Sequence, residues 1–421
     1  MARTQSIVVI GCFVLLLGVT LSPVGGNAAT PSQGVVERDY WPTDGWMTSS
    51  PEEQGMDSSL LNTLMDKIEE HNIAIDSLLI ARHGYLVFEE YPRHYTNETL
   101  HVIHSCTKSY TSALVGIAIE QGYINSTSDR MVDLLPDRTF ANLDSRKEAI
   151  TLEHLLTMTS GLQWDEWTHP YSSNLNSHYQ MWYASNQIQH IIDLPMIADP
   201  GAVWTYNSGG SHVLGAILSD ATNRTLLDFA IENLFTPLGI EESDVSFTLD
   251  NQGYYLASGG ASMIPRDMLK FAYLYLNNGT WDGEQIVPAN WVQLSSETLV
   301  DFNSFSGYSY QWWTYPTEIV NVYAAQGYLG QYIFVVPELD MVVVFTSSIT
   351  PSESTIHPTL LFDYIVPSVI GIVGSQPVAA NTVTLIAMAI IPLPIIVAGV
   401  YFQFRVRKWS DALENKEEAV E

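Results

Sequence analysis

Apolar positions recur at helical spacing over Leu60–His71, where Leu60, Leu61, Leu64 and Ile68 share one face. Two short apolar runs follow, Ser77–Ala81 and Tyr85–Phe88. Arg82-His83-Gly84 separates them, a spacing that predicts a β-hairpin. A second hairpin is predicted near the end, where Tyr332–Val336 and Met341–Phe345 flank Pro337-Glu338-Leu339-Asp340. Pro358–Ile370 has the pattern of a closing helix. Between the hairpins the patterns are mostly helical, over Thr107–Gln121, Thr151–Thr157, His212–Thr222 and Met268–Asn277. Terminal hairpins around a helical middle imply an α+β fold, with an antiparallel sheet built from both chain ends and a helical subdomain. No linker, internal repeat or low-complexity tract divides this region, so it reads as one long domain.

The two ends have a different pattern. Arg3 precedes an apolar run from Ile7 to Leu21, and small residues follow near Ala28. Residues 1–29 therefore read as a secretory signal peptide, the run being short for a membrane span. At the other end no charge occurs from Tyr364 to Phe404, and Arg405, Arg407 and Lys408 follow at once. A transmembrane helix is expected over 377–404, centred on Thr382–Phe402, with a cytoplasmic tail at 405–421. That places the domain at 30–376 outside the cell, on a single-pass protein of the cell membrane.

The 421-residue chain has 17 basic and 46 acidic residues, a formal net charge of −29. The leader and the tail nearly cancel, so the acidity belongs to the domain between them. Such a field repels phosphate backbones and excludes a nucleic-acid partner. With two cysteines, Cys12 and Cys106, a disulfide framework is excluded too. Asn97, Asn125, Asn223 and Asn278 each open an Asn-x-Ser/Thr triplet that could accept a glycan on an exported domain.

Candidate chemistry begins at Ser105, which stands three residues before Lys108 at the start of a predicted helix. Residues three apart share a helical face, so the amine can reach the hydroxyl. A serine becomes a nucleophile when a base removes its proton, and a lysine can do so if burial lowers its pKa. On this motif alone, an N-capping serine beside an exposed lysine is an equal alternative. Two later segments add to it. Trp204-Thr205-Tyr206-Asn207-Ser208-Gly209-Gly210 places Tyr206 and Ser208 at a helix entrance, where a phenol near Lys108 could carry a proton. Ala325-Gln326-Gly327-Tyr328-Leu329-Gly330-Gln331 is a glycine-rich strand edge that can offer a backbone N–H to an oxyanion.

In this order the three segments resemble the serine β-lactamase and penicillin-binding protein superfamily, whose Ser-x-x-Lys motif is a signature. The resemblance is strongest to the class C β-lactamase-related esterases and amidases, the group that includes 6-aminohexanoate-dimer hydrolase. It extends over most of residues 41–370, including Ser50–Asp57, Ile150–Leu162, Pro265–Met268 and Gly330–Glu338. It implies a β-lactamase/transpeptidase-like fold and a covalent acyl-enzyme on Ser105. Lys108 would be its base partner and Tyr206 a second proton carrier. Ser208 stands where relatives usually have Asn. Ser208, Gln326, Gly327 and Tyr328 form the expected oxyanion and substrate-binding set, with the backbone N–H groups of Ser105 and Tyr328 as the oxyanion donors. No cofactor is implied.

The chain departs from the family at Ala325-Gln326-Gly327, where β-lactamases and transpeptidases carry Lys-Thr-Gly. Without that cation the site lacks the usual grip on a substrate carboxylate. A small-molecule or peptide-like ester or amide without an essential carboxylate is the expected substrate. A D-Ala-D-Ala peptidase or β-lactamase is the second reading, and a surface binding protein that has lost catalysis the third. His101 and His104 lack a third ligand at zinc spacing, so no metal is expected. Trp164, Trp167, Tyr171, Tyr179, Trp182 and Tyr183 are equally suited to a substrate rim or to packing.

Overall fold

The computed structural model describes residues 38–369, apart from 304, 318–319 and 351–355. Helix α1 (Ser58–Glu70) buries Leu61, Leu64 and Ile68 on one face, and Asp57 caps it by accepting the Ser59 N–H. Strands β1 (Ile75–Arg82) and β2 (Tyr85–Glu90) form the first predicted hairpin. The chain then runs through a helical region before four short strands: β3 (Val300–Asn303), β4 (Ser306–Tyr308), β5 (Trp313–Pro316) and β6 (Asn321–Gly327). Strands β7 (Gln331–Val336) and β8 (Met341–Ser347) form the second predicted hairpin.

All eight strands join one antiparallel sheet in the order β2-β1-β8-β7-β6-β5-β4-β3. The last long strand lies beside the first, with Leu78 opposite Phe345 and Ile80 opposite Val343. The expected sheet from both chain ends is therefore present. Its central strands carry continuous apolar runs, Leu78–Ala81, Tyr332–Val336 and Met341–Phe345, because both faces are covered. Leu78, Ile80, Phe334, Val343 and Phe345 face one core, which α1 and the closing helices also enter. Leu79, Ile333, Val335, Val342 and Val344 face the other, together with the helical region.

The longest helices of that second layer are α2 (Thr107–Glu120), α3 (Ser208–Thr222) and α4 (Pro265–Leu276). Helix α2 is buried on every side from Thr107 to Ala118, so its polar residues need partners inside the protein. Ser109 donates to the Gln311 carbonyl at 2.8 Å, Thr111 to the Ala257 carbonyl at 2.8 Å, and Ser112 accepts Trp291 Nε1 at 3.2 Å.

One part of the expected fold class is corrected. The closing segment is one α-helical turn at Ile356–Leu360 that widens into a π-helical turn at Leu361–Ile365. Among the described residues no helix is long and apolar enough to cross a membrane. Part of the uncharged run that suggested a span belongs to the core, because Ile365, Val366 and Val369 pack in the same cluster as α1. The leader at 1–29 and the segments 377–404 and 405–421 lie outside the described residues.

Candidate active site

Ser105 occupies a 3-10 turn, His104–Cys106, that runs directly into α2. His104 has a φ of 47°, a left-handed conformation that costs a non-glycine residue roughly 1 kcal/mol. The turn is held from three directions. Thr107 Oγ1 donates to the His104 carbonyl at 2.6 Å and accepts the Ala261 N–H at 3.2 Å, and the Ile103 N–H reaches the Ala261 carbonyl at 3.0 Å. Behind the turn lies Gly327 at the end of β6. A Cβ there would stand 2.3 Å from the Ile103 carbonyl oxygen, so only glycine lets the strand come this close.

Lys108 Nζ lies 2.8 Å from Ser105 Oγ, 3.0 Å from Ser208 Oγ and 2.6 Å from the Ser258 carbonyl. The residue is 2 % exposed. Burial pulls its pKa down to about 8, against a smaller upward effect of the Glu166 charge. About half of it is then a neutral amine near pH 8.

Tyr206 and Ser208 sit on either side of Asn207, whose side chain caps α3 by accepting the Gly210 N–H at 2.9 Å. The Tyr206 ring lies 5.0 Å beneath the Lys108 ammonium and stacks on Trp167 at 5.1 Å and Trp313 at 6.0 Å. Burial, with the Glu166 charge adding to it and a hydrogen bond with Ser105 opposing it, holds the phenol pKa far above its ordinary value. Tyr206 is thus protonated whenever Lys108 is able to accept a proton. Cys106, next to the nucleophile, is fully buried, and its thiol is likewise pushed up by burial.

Glu166 is 4 % exposed, and its carboxylate receives four donors. The Ser208 N–H and Trp164 Nε1 reach one oxygen at 2.9 and 2.8 Å. The Ser208 hydroxyl and the Tyr171 hydroxyl reach the other at 2.6 and 2.9 Å.

A cavity of about 700 Å³ opens on this cluster. Ser105, Ser208, Ser258 and Glu166 form its polar wall, and Tyr171, Tyr179, Trp182, Tyr183 and Tyr328 much of the remainder. No lysine or arginine is among the described residues lining it. His104 and His178 also border it. Burial lowers both, His104 to about 4, so near pH 7 both are neutral.

The structure therefore brings Ser105, Lys108, Tyr206 and Ser208 together. Tyr328 reaches the cavity from the turn after β6, its ring centroid 5.7 Å from that of His104 and 5.1 Å from that of Tyr171, both in edge-on contact. Gln326 and Gly327 do not line the cavity. Gly327 supports the turn from behind, and Gln326 Nε2 is buried with no hydrogen-bond partner among the described residues. Of the aromatic segment, Tyr171, Tyr179, Trp182 and Tyr183 line the cavity, whereas Trp164 and Trp167 pack behind it. His101 bonds Asp76 at 3.0 Å. Sequence reasoning missed Glu166, Ser258 and His178. Glu166 stood between Trp164 and Trp167, but Asp165 beside it carries the same kind of side chain, so nothing in the sequence singled it out.

A sheet flanked by helices on both faces, with a Ser-x-x-Lys pair where the helical layer meets β6, defines a serine hydrolase of β-lactamase type. The Beta-lactamase family model matches residues 53–363, and the chain belongs to that family. Among characterised relatives it is similar to the 6-aminohexanoate-dimer hydrolase of Paenarthrobacter ureafaciens, 24% identical over 79% of this chain and 82% of that protein. Two solved structures share the fold. One is a putative 6-aminohexanoate-dimer hydrolase from Bacillus anthracis (TM-score 0.62, 23% identity, 72% of this chain and 81% of that one). The other is EstCE1, described as a hydrolase with promiscuous acyltransferase activity (TM-score 0.61, 18% identity, 72% of this chain and 96% of that one).

Proposed function

We propose that the protein cleaves an uncharged ester or amide through an acyl-enzyme on Ser105. The observation that carries this reading is the 2.8 Å contact between Ser105 Oγ and a buried, easily deprotonated Lys108. As Oγ adds to the substrate carbonyl carbon, its proton passes to the Lys108 amine. The C=O π electrons move onto oxygen, where the backbone N–H groups of Ser105 and Tyr328 are the candidate donors. Tyr206, already protonated, gives its proton to the leaving group as that bond breaks and recovers one from Lys108. Water then adds to the acyl group by the reverse proton path and frees Ser105.

The cavity supports the substrate class. Its aromatic lining suits an apolar acyl or leaving group, and no lysine or arginine among the described residues lines it to hold a carboxylate. This favours esters and amides over β-lactams or D-Ala-D-Ala peptides. A wall so apolar also suits an alcohol or amine displacing water, which would make the product a transferred acyl group. The sequence of 1–29 and the acidic excess support a working place outside the cell; fractionation of tagged full-length protein tests it, and a cytoplasmic pool alone would overturn it.

A fluorophosphonate probe tests the chemistry. One adduct is expected on Ser105 by peptide mapping, absent from Ser105→Ala, together with turnover of p-nitrophenyl esters. A folded protein that neither labels nor turns over would overturn the reading.

A further inference from the structure

Lys108 has three acceptors around it, yet only one of them is the nucleophile. A neutral amine has two N–H bonds and one lone pair, so the way these are shared decides whether Ser105 is activated. The Ser258 carbonyl can only accept, and at 2.6 Å it takes one N–H. Ser208 is ambiguous, because a hydroxyl can accept from the amine or donate to its lone pair. If Ser208 donated, it would occupy the lone pair that Ser105 needs.

Glu166 removes that ambiguity. The Ser208 hydroxyl has one proton, and it lies on a Glu166 carboxylate oxygen at 2.6 Å. The Ser208 backbone N–H holds the other oxygen at 2.9 Å, so the two residues are joined at two points. Trp164 and Tyr171 fill the remaining sites, two donors on each oxygen, which leaves no free lone pair for Glu166 to act as a base toward water.

We propose that Glu166 is a positioning residue: it claims the Ser208 proton, forces Ser208 to accept from Lys108, and so aims the amine lone pair at Ser105. This rests on the acyl-enzyme reading above.

The charges around Lys108 give the test its sign. On the turn that leads into its own helix lie the neutral His104, Ser105 and the neutral Cys106 thiol. From other elements come the neutral Tyr206 phenol, the neutral His178, and Glu166, the anion whose charge acts on it. Replacing that anion with an amide lowers the Lys108 pKa further, so the acid limb of kcat/KM moves to lower pH even as the plateau falls. Loosened packing would admit water and move the limb up, toward that of free lysine.

The experiment compares Glu166→Gln, Ser208→Ala and the double variant, using a p-nitrophenyl ester and fluorophosphonate labelling of full-length protein. The plateau of Glu166→Gln is expected to fall about 10²-fold, the scale of a misdirected general base. Because Glu166 acts through Ser208, adding Glu166→Gln to Ser208→Ala should reduce the plateau by less than about threefold, the non-additivity of residues acting as one unit. A plateau within about threefold of the parent in Glu166→Gln, a full additive loss in the double variant, or an upward limb would each overturn the proposal. These results are separable from failure of the acyl-enzyme reading, which would show as an unlabelled Ser105 in the parent protein.

Discussion

Around Asp76 a buried carboxylate is surrounded by donors and cations, whereas around Lys108 a buried amine sits among neutral oxygens. Asp76 is fully buried, with Arg93 at 3.0 Å, His101 Nε2 at 3.0 Å and Ser348 Oγ at 2.6 Å. Burial alone would raise its pKa, but the His101 and Ser348 hydrogen bonds and the His101 and Arg93 charges outweigh that and lower it. Nothing comparable rescues the Lys108 charge, because its direct partners are two hydroxyls and a carbonyl. Both groups are depressed relative to the unfolded chain, so both lose stability as pH falls through the folded value. For Asp76 that window lies below the ordinary carboxylate range, and at neutral pH its contribution is complete. For Lys108 the window runs from 10.5 down to about 8, so at neutral pH the charged lysine is a burden. One cluster stabilises the fold, and the other sacrifices stability to hold a base ready.

The contrast breaks most visibly at Lys108. Lys108→Met should lower kcat/KM at least about 10³-fold, since the general base is gone. It should also raise unfolding stability near pH 7 by about 1–3 kcal/mol, because an apolar chain of similar volume replaces an uncompensated buried cation. Urea unfolding read beside the kinetics checks both. A variant as inactive as expected but less stable would mean that the three hydrogen bonds outweigh the burial cost.

The next largest effect is on pH. With Lys108 as base, kcat/KM should fall tenfold per unit below about pH 8, reaching roughly a hundredth of its plateau two units lower. A flat profile from pH 6 to 8 would mean that the amine is not the group that must lose its proton.

Much of the fold was legible because its long elements have one apolar period each. Leu61, Leu64 and Ile68 of α1, and the unbroken apolar runs of β1, β7 and β8, needed no tertiary context. Strands β3 to β6 were less legible, each holding one or two of Gly, Ser, Asn and Pro and being defined by their neighbours rather than by alternation. The uncharged C-terminal run misled because a buried closing helix and a membrane span share the same composition at their start. At the site, Ser105 and Lys108 are three apart on one helix, and local spacing sufficed to pair them. Glu166 meets Ser208 across 42 residues and Ser258 meets Lys108 across 150, contacts that only the packed fold creates.

The Asp76 cluster breaks in the opposite sense. Asp76→Ala should leave the kcat/KM of folded protein within about twofold and cost about 2–4 kcal/mol of stability, since it strips partners from His101, Arg93 and Ser348 at once. A loss of activity as large as the loss of stability would show that the cluster also fixes the Ser105 turn, which follows His101 by four residues.

Within that cluster the partners should be unequal. The Arg93 side chain is 38% exposed, so water can replace its contact with Asp76, whereas the His101 side chain is only 7% exposed and cannot be replaced in that way. Arg93→Ala should therefore cost less than about 1 kcal/mol, and less again in high salt, the behaviour of a pair that water and ions can screen. His101→Ala, which leaves a buried carboxylate oxygen short of a donor, should cost more and be indifferent to salt. Equal costs for the two variants would mean that charge rather than desolvated hydrogen bonding holds Asp76 in its ionised form. The clusters would then differ only in the sign of their central group.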